Sequence, residues 1–163
     1  MPKRSPEPIS ARARQARFVR VQRIASRLGF IGSVEYRHEI GDSGGAQYVP
    51  SVTIESDRLV VDAEAFRRDA AGDDFTLEAI VAHERGHQLV CRHEQLRRNL
   101  PKRMSLLTEE VLASLVGALI AQQPRDGQML VLKALSELID HGMQPTEASR
   151  RVESVLGFLE EFL

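Results

Sequence analysis

Within the stretch EAIVAHERGHQLV, two histidines stand four residues apart, His83 and His87, with Glu84 directly after the first. On an α-helix, positions i and i+4 lie one turn apart on the same face, so both imidazoles can reach a single ion. Neutral imidazole nitrogen suits zinc, and a catalytic zinc site takes three protein ligands and keeps one position open. A carboxylate beside the first ligand is placed to take a proton from the water that the metal activates and to pass it to a leaving amine. The pattern points to one zinc ion per chain, with Glu84 as general base and a peptide bond as the target. Two histidines serving only as surface or core residues is the plain alternative. The apolar surroundings, Ile80, Val81, Leu89 and Val90, weigh against it by placing the motif on a core-facing helix.

Two residues compete for the third ligand position. His93 has the spacing of the extension HExxHxxGxxH, but that extension needs glycine at its turn and this chain has Val90 there. If the helix simply continues, His93 points away from the face of His83 and His87, and it reads better as a solvated histidine suited to the helix end. The other continuation is TEEVLASLVGALI, about twenty residues on. There Glu110 shares a helix face with Ala113, Ser114, Gly117 and Ala121, a stripe of small residues that lets this helix approach the zinc helix closely. Glu109 shares its face with larger residues, so geometry favours Glu110, although ordinary acidity in a first helical turn would also account for both glutamates. Ser114, one turn beyond Glu110, is placed to hydrogen-bond the free ring nitrogen of a ligand histidine and fix its tautomer.

The elements that must hold these residues follow from periodicity and punctuation. A basic helix is expected from Ser10 to about Leu28, with Phe18, Val21, Ala25 and Leu28 on one face and Arg20, Arg23 and Arg27 on another. Between Ser33 and Asp62 the segments SVEYRHE, AQYVPSVTIES and RLVVD read as three or four short strands of one small sheet. Pro50 makes the Gln47 to Val49 strand an edge or an interrupted strand. Beyond Asp62 helices are expected through AEAFRRDA, from about Thr76 to Arg92, Ser105 to Ala121, and over 128–141 and 146–162. Asp73 and Asp74 compete with Thr76 as the cap of the second. The fold class is α+β, with a small antiparallel or mixed sheet, the HExxH helix, a glutamate-bearing helix and a C-terminal helical hairpin.

Composition bounds the rest. The 163 residues suffice for one ordinary core. A formal net charge of -1 gives no bias toward nucleic acid or an anionic membrane, although the first 28 residues carry eight Lys/Arg against one acidic residue. The single cysteine, Cys91, has no intramolecular partner, and the charged amino terminus does not read as a signal peptide, so a cytoplasmic setting is expected. No apolar run reaches the roughly 18 residues of a membrane span.

At HERGH and at EVLAS the chain resembles the minigluzincins, soluble minimal relatives of the catalytic domains of membrane-embedded heat-shock and CAAX-prenyl metallopeptidases. The resemblance covers roughly Ser33 to Leu163. It implies a zincin-like fold, His83 and His87 as ligands, Glu84 as base, and Glu110 as the glutamate of an ExxA pattern. Where many relatives carry an acidic residue after that alanine, this chain has Ser114. It further implies that GAQYV is an edge strand whose Ala46, Gln47 and Tyr48 bind an extended substrate by main-chain pairing. The tail IDHGMQPTEASRRVESVLGFLEEFL is similar to the helical tail of such proteins, which would give His141 or Arg151 to the oxyanion of the tetrahedral intermediate. A histidine before a helix-ending glycine is otherwise a cap. In small soluble relatives this tail can fill the cleft and hold the enzyme latent; dimerisation through the same helices is its competing role. The layout expected for the whole chain is a disordered tip over 1–8, where three of eight residues are proline, a zincin-like catalytic domain with the basic helix over 9–123, and a helical hairpin over 124–163 packed on the same domain.

The leading function is zinc-dependent endopeptidase, with a peptide or protein as substrate. A regulatory protease that cuts one partner, as in the phage-immunity metallopeptidases that also pair HExxH with a downstream glutamate, fits the same residues. The rival from another class is a non-catalytic module in which zinc ties helices together and the tail binds a partner. The intact Glu84 argues against it, because a structural site needs no base.

Overall fold

Four helix starts in this chain are set by short polar side chains. Ser10, Thr76 and Thr108 each accept a main-chain N–H from three residues on, and Asp62 accepts that of Glu64. The computed structural model describes residues 5–100 and 108–163. In chain order they form α1 (Ala11–Arg27), β1 (Ser33–Arg37), β2 (Ala46–Val49), β3 (Arg58–Asp62), α2 (Ala63–Ala71), α3 (Leu77–Arg92), α4 (Glu94–Asn99), α5 (Glu109–Ile120), α6 (Pro124–Asp140) and α7 (Pro145–Phe162). The class is α+β, as expected, with a three-stranded mixed sheet in the order β1-β3-β2. β1 runs parallel to β3 and β2 antiparallel to it, so β2 is an edge strand that ends before Pro50.

Several boundaries differ from the sequence expectation. Residues 51–56 form no strand; a short 3₁₀ turn, Ile54–Ser56, carries the chain into β3. α6 begins at Pro124 rather than near 128, because proline is well suited to a first helical position. α4 was not expected at all: the α3 helix stops at His93, whose own ring then caps α4 by accepting the N–H of Leu96 at 3.1 Å. The expected start of the glutamate helix at Ser105 lies outside the described residues, as does the first half, residues 1–4, of the expected disordered tip. Within that tip the Glu7 carbonyl accepts a hydrogen bond from the His38 ring at 2.6 Å.

α3 is the spine. Ten of its 16 residues are buried. Its first turns pack with the sheet and α1 in a cluster that includes Val21, Ile24, Leu59, Val61, Leu77, Ile80 and Val81. Its end joins a second cluster with α4 to α7, through Val90, Leu96, Val111, Leu115, Val116, Leu138, Val152, Val155 and Leu159. The C-terminal hairpin is thus part of the core. Among the described residues no helix is long and apolar enough to cross a membrane.

Two features hold α3 in place. The first is its contact with α5, where backbones touch. A Cβ added at Gly86 would lie 2.1 Å from the Ala113 carbonyl oxygen, and one at Gly117 would lie 2.9 Å from that of Ala82. The second is the fully buried carboxylate of Asp57. It accepts hydrogen bonds from the Tyr48 hydroxyl at 2.7 Å, the Ser51 N–H at 2.8 Å, the Gln88 amide at 3.0 Å and the Arg92 guanidinium. Gln88, itself fully buried, also donates to the Ile31 carbonyl and accepts from the Ile31 N–H and Arg85. Burial alone would raise the Asp57 carboxyl, but these donors outweigh it and hold it far below the usual carboxylate range.

Gly86→Ala is expected to destabilise the fold by about 2 kcal/mol or more, since backbone atoms must move apart, whereas Gly157→Ala in α7, with open space around it, gains about 0.5–1 kcal/mol from helix propensity. Urea unfolding of both variants checks this; a Gly86→Ala protein as stable as the parent would refute the close contact. For Asp57, whose folded pKa is depressed, the stabilisation is complete above the unfolded value of about 3.9 and is lost as pH falls through the lower folded one. Acid unfolding curves of the parent should therefore steepen below about pH 4 relative to Asp57→Asn, which is less stable at neutral pH.

Candidate metal centre

The capped start of α3 sets the rotation of His83 and His87, and the Thr108 cap sets that of Glu109 and Glu110 in the first turn of α5. Helix contact then brings the four together. His83 Nε2 lies 3.1 Å from His87 Nε2 and 3.1 Å from Glu110 Oε2, and His87 Nε2 lies 2.9 Å from Glu110 Oε1. The opposite ring nitrogens are also engaged. Ser114 Oγ, fully buried, is 3.0 Å from His83 Nδ1, and Glu109 Oε1 is 3.1 Å from His87 Nδ1. Ligand atoms of His83, Glu84 and His87 all lie within 4.8 Å of one another.

The chemistry of this set can be tested for a metal. With hydrogens on both Nδ1 atoms, donated to Ser114 and Glu109, each Nε2 carries a lone pair. Two lone pairs and a carboxylate then face one point, an arrangement that calls for a cation there or, without one, a proton on one ring. Ligand atoms around a tetrahedral zinc, at roughly 2.0–2.2 Å from the ion, would be about 3.3 Å apart. The separations of 2.9–3.1 Å are close to that, and the donors are of the right kind, so the residues fit a zinc ion. Glu109 is directed to the outer nitrogen of His87 and Glu110 to the inner ones, which separates the two adjacent glutamates by role.

Electrostatics follow the same geometry. Burial pushes the Glu84 carboxyl up to about 7. Burial lowers His83 as well, against its bond to Glu110. Burial also works against a charge on His87, but hydrogen bonds to Glu110 and Glu109 and the charge of Glu84 outweigh it and hold the ring up to about 9. Its bonds to His83 and His87 hold Glu110 far below the usual carboxylate range.

These groups lie in a cleft of about 760 Å³ lined by β2, α3, the start of α5 and one face of α6. Gly45 gives its carbonyl to the Asp62 N–H at 2.9 Å, so odd positions of β2 face β3. By the two-residue period, Ala46 and Tyr48 aim their main-chain groups at the open edge. The Tyr48 N–H does so visibly, donating to Glu84 Oε2 at 2.8 Å. Ala46, Gln47 and Tyr48 all line the cleft.

His93, set aside above as a ligand, and two expected participants, His141 and Arg151, lie elsewhere. His93 is the α4 cap and packs against Phe162. His141 ends α6, exposed, with its ring bonded to the Glu137 carbonyl at 2.7 Å; it is a cap. Arg151 pairs with Glu147 on α7. None of them lines the cleft, and no residue of α7 does. The arrangement in which the tail fills the cleft is therefore not the one seen, because the apolar face of α7 is spent in the core. Conversely, sequence reasoning missed Lys133, whose Nζ is 3.4 Å from Glu110 Oε2, and Asp57, the hub behind the site. A lysine between Leu132 and Ala134 has no local signature; its distance from the motif closes only when α6 packs on α5.

Comparison with protein-family models, curated proteins and solved structures finds no match to this chain. Since His87 keeps a proton at neutral pH without metal and must surrender it to act as a ligand, zinc binding near pH 7.5 is expected to release about one proton per chain. Calorimetry in buffers of different ionisation enthalpy measures this; a binding heat that is the same in every buffer would remove His87 from the ligand set.

Proposed function

We propose that this protein is a zinc-dependent endopeptidase with a zincin-like arrangement of the gluzincin type. The observation that carries the reading is the convergence of His83 Nε2, His87 Nε2 and the Glu110 carboxylate within 2.9–3.1 Å of one another, at the foot of a cleft bordered by a free strand edge. His83, His87 and Glu110 would hold the ion. A bound zinc supplies Lewis-acid activation of water and of the scissile carbonyl.

The remaining steps belong to the chain. Ser114 and Glu109 hold the two imidazoles in the tautomer that presents Nε2 to the ion. Glu84, poised near neutrality by burial, accepts a proton from the attacking water and returns it to the leaving amine. The Tyr48 N–H fixes the Glu84 carboxylate against the strand edge, so base and substrate share one ruler. An extended peptide laid along β2 would pair with the Ala46 amide and carbonyl and the Tyr48 carbonyl, the strand-addition mode of recognition. The Asp57 cluster anchors that edge from behind through the Tyr48 hydroxyl.

Metal content and cleavage of a mixed peptide library test the reading. The parent should hold one zinc per chain. Glu84→Gln should keep it and lose about 10²–10⁴-fold in activity. Glu110→Ala should lose metal far more readily than Glu109→Ala, for which a loss of about 10–100-fold in affinity is expected. Cleavage undiminished in Glu84→Gln, or a parent that binds no zinc, would sink the proposal.

A further inference from the structure

Hydrolysis through a tetrahedral adduct places charge on the former carbonyl oxygen, which a donor beside the metal would stabilise further, and neither His141 nor Arg151 reaches the cleft. We propose that Lys133 is the cation that stabilises this oxyanion; the inference rests on the peptidase reading. Apart from the ligand histidines, the cations lining the cleft among the described residues are Arg68 and Lys133. Arg68 is committed elsewhere. Its Nε and Nη2 donate to Asp74 at 3.0 and 2.8 Å, its Nη1 donates to the Gly44 carbonyl at 2.8 Å, and its guanidinium lies over the Phe75 ring.

Lys133 is differently placed. It projects from α6 one turn beyond Leu130, which lines the same cleft, and meets Glu110 at a long 3.4 Å. Its other anionic neighbour, Glu137, is one turn further along α6 at 4.0 Å, beyond hydrogen-bond range. The ammonium carries three donors. One long contact and one charge pair hold it at the rim of the ligand set while leaving hydrogens for a substrate oxygen.

In the reaction, a water oxygen bonds to the carbonyl carbon and its proton passes to Glu84. The carbonyl π pair moves onto oxygen, where the Lys133 ammonium meets it with a charge-assisted hydrogen bond. Collapse of the adduct restores the carbonyl, breaks the C–N bond and sends the proton from Glu84 to the amine. Because the oxygen is fully charged only in the adduct, Lys133 should act on turnover rather than on substrate binding.

The test uses the zinc-loaded full chain, a phosphinic peptide as inert mimic of the charged adduct, and the variants Lys133→Met and Lys133→Arg. Lys133→Met is expected to keep zinc affinity and KM within about twofold, to lower kcat by about 10²–10³-fold, and to bind the phosphinic peptide about 10²-fold more weakly in calorimetry. Lys133→Arg, which keeps the charge, should recover part of both losses. Equal affinity of parent and Lys133→Met for the phosphinic peptide would overturn the assignment. So would a variant whose only defect is weaker zinc, since Lys133 would then merely prop Glu110. A zinc-loaded parent that does not bind the phosphinic peptide also overturns it, whereas a parent that binds no zinc removes the peptidase reading itself.

Discussion

Everything in the site depends on two helices touching backbone to backbone. Gly86 faces the Ala113 carbonyl and Gly117 faces that of Ala82, so α3 and α5 approach with no side chain between them. A helix rises about 5.4 Å per turn, and a slip of one turn would carry Glu110 out of reach of both histidines. Close packing removes that freedom, because any register that sets a Cβ against these carbonyls is excluded. The same contact delivers Ser114 to His83, one turn after Glu110 meets both imidazoles. Glu110 and Ser114 are thus both set against the two rings by a single steric condition.

α3 divides its labour by face. His83, Glu84, His87 and Cys91 line the cleft, while Arg85, Gln88 and Arg92 turn to the loops before β1 and β3. The second face meets Asp57, a buried carboxylate that is tolerable only because its oxygens are saturated with donors. Through the Tyr48 hydroxyl this cluster also holds the edge strand, and through the Tyr48 N–H that strand holds Glu84. Glu84 and the edge strand are thereby tied to one rigid unit, which is the preorganisation that the proposed proton transfer would require.

Charge in the cleft is balanced by placement. His83 and His87 draw Glu110 down and Glu110 draws His87 up, while Glu84, buried and without a cation of its own, is raised by burial. Two carboxylates one turn from the same pair of rings thus acquire different chemistries. Lys133, 3.4 Å from the Glu110 oxygen that also meets His83, adds positive charge beside that carboxylate.

Local spacing was enough to read much of this chain. The four-residue interval of His83 and His87, the small stripe through Ala113, Ser114 and Gly117, the cap at Thr76, and the strand-breaking Pro50 all act within a turn or two. A helix of fixed pitch turns such intervals directly into faces and contacts. What the sequence left open were coincidences between segments. The four residues of β2 do not extend into VTIES, because Ser51 and the following turn are drawn onto Asp57. His141 reads by itself as a cap, and the catalytic role that the resemblance implies for it is removed only when α6 places it at an exposed end. Lys133 carries no signal, since its meaning lies in the packing of α6 beside α5. Periodicity determines which residues share a face; only packing in three dimensions decides which faces meet, because those distances depend on side-chain volumes summed along the whole chain.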